Sequence, residues 1–137
     1  MENKSSYFLV DLGVLSGVME KESFGVKGKF FAGEQLGLTG CEVSYAVLPA
    51  RQSIPFLHSH KENEEVYLFI SGNGTFLIDG QKLPVKEGSI VKVSPSGKRG
   101  LKANGEDLLY ICIQAKENSL KQATVDDGII FEDKPEW

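Results

Sequence analysis

Residues 55–74 read PFLHSHKENEEVYLFISGNG, and the fold turns on how this stretch is read. It holds both histidines of the protein, His58 and His60, one residue apart. Side chains on a β-strand alternate faces with period two, so the pair points the same way. Glu65 lies five residues beyond His60, and on one continuous strand that odd spacing turns it away from both imidazoles. The chain is therefore expected to turn. The polar segment 61–64 fits a hairpin loop, after which Glu65 opens an adjacent antiparallel strand beside the histidines. Two imidazoles and a carboxylate then converge, a ligand set suited to a borderline divalent metal with coordination positions left open.

Outward from this stretch, strand and turn signals recur at short intervals. Segments 42–48, 56–60 and 65–70 read as strands; Gly72, Asn73 and Gly74 turn the chain into 75–78; and Asp79-Gly80 is a strong two-residue hairpin turn into 81–85. Pro84 lacks the amide needed in a central ladder and favours an edge. Segments 89–93, 98–103 and 108–114 follow, separated by Pro95-Ser96-Gly97 and by Asn104-Gly105, a second hairpin signal. Many short strands with turns every 8–12 residues indicate an all-β sandwich or barrel. Residues 1–40 are less regular, with apolar runs at 7–10 and 29–31 broken by seven glycines, and with room for a helical turn after Gly33 that Thr39 and Gly40 stop. They read as edge strands and loops that wrap the core or a partner subunit. The organisation is one domain: extension 1–40, barrel core 41–115 and tail 116–137. The tail, acidic and ending in Trp137, is expected to pack over a neighbouring surface.

Composition narrows the function. A chain of 137 residues buries roughly 65–70% of its unfolded surface and needs no disulfide or structural metal to fold. A net charge of -4 without a basic run argues against nucleic acid. No stretch approaches the roughly 20 apolar residues of a membrane helix, and the N-terminus lacks a signal-peptide pattern, so a cytoplasmic protein is expected. Cys41 and Cys112 form no CxxC and read as reduced packing residues.

The residues then resemble the cupin superfamily. Its first motif runs glycine, HxH, three or four residues, glutamate, six residues, glycine; His58-Ser59-His60, Glu65 and Gly72 match, and the leading glycine is missing. The second runs glycine, five residues, PxGxx, histidine, three residues, asparagine; Gly88, Pro95, Gly97 and Asn104 fall in register with one extra residue before the proline, and Gly100 stands where the histidine belongs. The resemblance spans about residues 41–114 and implies a jelly-roll barrel (double-stranded β-helix) carrying an N-terminal extension. It implies a divalent metal (iron, manganese, nickel or zinc) held by His58, His60 and Glu65 without the family's fourth ligand. Homodimers, usual for small cupins, are expected, with the N-terminal segment contributing to the interface.

Around this centre, Tyr67 and Phe69 share a strand face with Glu65 and would line a small-molecule cavity or simply fill the barrel. If Gly100 faces inward, Lys98 and Lys102 share its face, where Lys102 could anchor an anion or pair with Glu65; if the strand kinks at Gly100, both lysines reach solvent. Arg99 is expected at the rim, holding a carboxylate or phosphate or simply solvated. Glu64 is the alternative ligand at the motif's shorter spacing. Three functions compete: a metal-dependent enzyme on a small anionic or polar molecule, with Tyr67 or Lys102 as catalytic candidates; a non-catalytic small-ligand module; and a metal-free enzyme resembling sugar epimerases, with a histidine as base and Tyr67 or Tyr110 as acid.

Overall fold

Alternating burial along the strands builds a barrel with one apolar interior. The computed structural model describes residues 6–122 and 126–137. A short 3-10 helix at Leu15–Glu20 precedes β1 (Glu22–Ser23), β2 (Val26–Lys27) and β3 (Lys29–Phe31), and a single helical turn, α1 (Gly33–Leu36), ends at Gly37. The barrel strands are β4 (Glu42–Leu48), β5 (Asn63–Ser71), β6 (Asn73–Ile78), β7 (Gln81–Lys86), β8 (Ile90–Val93), β9 (Arg99–Ala103) and β10 (Leu108–Lys116). They form a five-stranded sheet in the order β3-β4-β10-β5-β8 facing a three-stranded sheet in the order β7-β6-β9, all antiparallel. This is a jelly roll. Among the described residues no helix is long and apolar enough to cross a membrane.

The space between the sheets is filled by Tyr67, Phe69, Phe76, Leu101, Leu108 and Tyr110. Tyr67 meets Phe76 edge-on at 5.0 Å between ring centroids, and Phe69 and Tyr110 lie 5.8 Å apart, spacings at which aromatic pairs attract beyond their buried area. Phe76 is wholly buried, which contributes roughly 1.5–3 kcal/mol. A second cluster lies on the other face of the five-stranded sheet, where Val18, Phe30 and Ala32 cover Val47 and Leu109. Ala46 faces the barrel interior and Val47 the N-terminal cover, which is period-two alternation using both faces of β4. The N-terminal segment therefore wraps the barrel core, with β3 as an edge strand; residues 7–10 form no strand and stand largely exposed.

Turn chemistry fixes the β6–β7 hairpin. Asp79 and Gly80 both have positive φ, 47° and 84°, as the type I′ turn requires, and Pro84 sits on an edge strand as its missing amide demands. Three local expectations are corrected. Residues 56–60 are not a regular strand: residues 52–58 run beside β9 through isolated bridges Ser53–Lys102 and His58–Arg99. Segment 61–64 does not close a hairpin, because β5 pairs with β10 and β8 and not with the histidine segment. Nor does Asn104-Gly105, since β9 and β10 belong to different sheets and the loop between them carries the chain across the barrel.

Candidate metal centre

Glu65 lies near the start of β5 with Tyr67 and Phe69 on its inward face, as alternation dictates. Cys112 of β10 sits opposite Tyr67 and also faces in. His58 bridges Arg99, and the His60 amide donates to the Pro95 carbonyl at 2.8 Å, so the histidines are anchored to the β9 side of the barrel. They meet Glu65 across the interior. His58 Nε2 is 3.6 Å from Glu65 Oε1, His60 Nε2 is 3.4 Å from Oε2, and one ligand atom from each of the three residues lies within 4.8 Å of the others.

Arg99 is the residue that sequence reasoning misplaced. It is 1% exposed, not at the rim, and its Nη1 donates to Glu65 Oε1 at 2.6 Å. Its Nε donates to the Gly97 carbonyl at 3.1 Å and its Nη2 to the Ser94 carbonyl at 2.9 Å, so the guanidinium is locked on three sides. On β9, Arg99, Leu101 and Ala103 face in, whereas Lys102 is exposed and pairs in register with Thr75 on the outer face. Gly100 also points outward, where an added Cβ would stand 2.8 Å from the Leu57 side chain. The signal was present in the apolar alternation of Leu101 and Ala103, which carries Arg99 inward and Lys98 and Lys102 outward. The motif position at Gly100 obscured it by one residue, and a one-residue slip exchanges the faces of a strand.

The Glu65 carboxylate, 4% exposed, is the hub. Tyr67 donates its hydroxyl to Oε1 at 2.8 Å and Cys112 its thiol to Oε2 at 3.3 Å. Burial opposes its charge, but the His58 imidazole beside it, the hydrogen bonds from Tyr67 and Cys112 and the neighbouring His60 outweigh burial and hold the carboxyl well below the usual carboxylate range. Burial first, then the neighbouring Cys112 and Glu65, pushes the Tyr67 phenol far above its ordinary value; burial and the Glu65 charge do the same to the Cys112 thiol. Both stay protonated as donors. Glu64 points away, with Lys92 Nζ 3.9 Å from its carboxylate, and Phe69 and Tyr110 belong to the aromatic core.

Do these residues fit a metal ion? His60 Nε2 is buried and, among the described residues, has no hydrogen-bond partner. A buried polar atom without a partner costs about 1–3 kcal/mol, and a cation shared with Glu65 Oε2 would relieve it. Arg99 and Tyr67 both bond Oε1, so Oε2, which accepts only the weak Cys112 thiol bond, keeps a lone pair for a ligand bond beside His60, and metal-bound carboxylates are commonly held in place by such hydrogen bonds. The residues fit.

The comparisons agree with this architecture. A family model described as "Cupin domain" matches residues 44–114. A cupin protein from Bacteroides fragilis is 39% identical, with a TM-score of 0.74 over 81% of this chain and 95% of that one. A Thermotoga maritima protein described as "a predicted oxalate decarboxylase" is 24% identical, with a TM-score of 0.51 over 54% of this chain and 64% of that one. A Cupin 2 conserved barrel domain protein from Salinispora arenicola is 18% identical, with a TM-score of 0.52 over 58% and 66%. No functionally curated protein matches the sequence. The chain belongs to the cupin superfamily.

Proposed function

We propose that this cupin holds one divalent metal ion through His58, His60 and Glu65 and takes a small anionic molecule at the remaining positions. The observation that carries the reading is the buried, unpartnered His60 Nε2 facing Glu65 Oε2 at 3.4 Å. Charge supplies the second half. Because imidazoles bind a metal in their neutral form, Glu65 and Arg99 cancel and the full charge of a bound cation is left for a ligand from solution to neutralise. A carboxylate or phenolate-type ligand is thereby favoured over a neutral one.

A metal bound there supplies Lewis-acid polarisation or, for a redox metal, electron transfer to the bound ligand. The chain's own residues have distinct duties. Arg99 and Tyr67 hold the carboxylate in orientation through Oε1, and the aromatic core behind Tyr67 keeps water from its inner side. Lys102 lies outside the barrel and has no part in this centre. A metal-free acid–base reaction with Tyr67 as acid has less support, because the single phenolic proton is already given to Glu65. The two cysteines, Cys41 and Cys112, are free.

Elemental analysis of tag-free protein purified without chelators, beside His60→Ala, tests the first half. Near-stoichiometric metal in the wild type and its loss in the variant are expected. A wild type that stays empty after exposure to iron, manganese, nickel and zinc overturns the proposal. For the second half, the visible spectrum of cobalt-loaded protein is expected to change with acetate or oxalate and not with a neutral amide.

A further inference from the structure

The outer face of the three-stranded sheet carries a groove that the metal centre does not use. Residues 53–57 arch over it, and its volume is about 560 Å3, within the range of roughly 300–1,000 Å3 of ligand-sized clefts. Phe56, Leu57 and Leu77 give it an apolar floor and lip, Thr75 adds a hydroxyl, and Lys82 and Lys102 supply two cations; among the described residues no acidic side chain lines it. Gly100 shapes the floor by letting Leu57 lie against β9.

At the other end of the chain, residues 126–137 read DDGIIFEDKPEW. Five acids against one lysine give this segment as much negative charge as the chain's net -4, so the remainder is close to neutral. Between the acids stand Ile129, Ile130 and Phe131, and Trp137 follows; all four are exposed, Ile130 at 98%. Consecutive large apolar side chains in water mark a surface that is completed by contact. Within one chain the segment lies against neither its own groove nor its own core.

Groove and segment match in kind: apolar on apolar, two lysines against acids that flank the apolar run on both sides. We propose that the groove of one subunit receives the 126–137 segment of a second copy of this chain, with Phe131 and its isoleucines against Phe56, Leu57 and Leu77, and Lys82 and Lys102 pairing with the flanking acids. The two copies exchange tails reciprocally, which closes the assembly as a dimer. Immobilising exposed side chains consumes part of the interaction, so a dissociation constant that responds strongly to single contacts is expected.

The test uses the full chain with a photo-crosslinking phenylalanine analogue in place of Phe131. Equal amounts of 14N and 15N protein are mixed, irradiated and digested. The expected result is a crosslink from the 131 peptide to the 53–57 or 75–82 peptides, with mixed isotope labels as frequent as like-labelled ones. Crosslinks confined to like labels would put the tail in its own groove, and crosslinks that miss the groove would assign it another occupant, such as a free amphipathic anion; either overturns the proposal. Sedimentation equilibrium gives an independent reading. Lys82→Glu/Lys102→Glu is expected to weaken the dimer at least about tenfold, the equivalent of 1.4 kcal/mol. Adding Glu132→Lys/Asp133→Lys in the same chain is expected to restore it. A dimer indifferent to all four changes, or a monomeric wild type, refutes the exchange.

Discussion

Glu65 and Arg99 form a buried ion pair whose two halves are not equivalent. Removing either leaves an uncompensated charge in the barrel, an effect of about 3–5 kcal/mol. In Arg99→Met the stranded charge is the Glu65 carboxylate, which a divalent cation can neutralise; in Glu65→Gln it is the guanidinium, which a cation can only aggravate. Loss of an orienting partner normally weakens metal binding by roughly 10–100-fold, about 1.4–2.8 kcal/mol. The relief of a stranded carboxylate is larger. We therefore expect thermal denaturation to show both variants destabilised without metal, with zinc rescuing Arg99→Met more than it stabilises the wild type and failing to rescue Glu65→Gln. Tyr67→Phe removes a neutral donor from a charged acceptor and should cost roughly 1.5–3 kcal/mol in urea denaturation, with the barrel otherwise intact. The clustering of His58, His60 and Glu65 was legible because HxH and the glutamate at its spacing form a dense local pattern. Arg99 was not, because its role depends on which face of β9 turns inward.

At the scale of the elements, what could be read was what is local. Alternation placed β4, β5 and β10, and Asp79-Gly80 specified its turn through backbone conformation alone. Apart from residues 56–60, which form no regular strand, the failures concern pairing partners. Asn104-Gly105 carries hairpin chemistry, yet the flanking strands join different sheets; the histidine segment finds its neighbour in β9, about forty residues away in sequence. Such contacts are decided by closure of the whole barrel. The crossing from β5 to β6 shows how demanding that closure is. Gly72 sits there at φ 89°, and an added Cβ would collide with the Asp107 carbonyl of the β9–β10 loop. Gly72→Ala combines a disfavoured conformation with a backbone clash, so a loss well above about 1 kcal/mol is expected by chemical denaturation. Gly80, with open space around its missing Cβ, faces only the conformational part.

For the whole molecule, the barrel core and the N-terminal cover supply two apolar clusters that do not depend on a metal. Protein stripped with a chelator should keep its β-sheet circular dichroism and melt cooperatively. Adding back the bound metal should then raise the melting temperature with concentration, by the equivalent of about 2.7 kcal/mol at one hundred times Kd. A chain that unfolds on chelation would instead make the metal part of its folding.

The five residues of β9 divide these duties by parity. Odd positions, Arg99, Leu101 and Ala103, belong to the barrel interior; even ones, Gly100 and Lys102, belong to the outer groove. Point substitutions along the strand can thus alter the centre without disturbing the groove, and the reverse, so each surface is free to drift under its own selection. Insertion or deletion has no such freedom. One residue gained in the Pro95–Gly97 turn would bring Lys98 into the place of Arg99 beside Glu65, turn Lys102 into the barrel and send the guanidinium to solvent, trading both surfaces at once, which makes the length of that turn more tightly constrained than the identity of its residues.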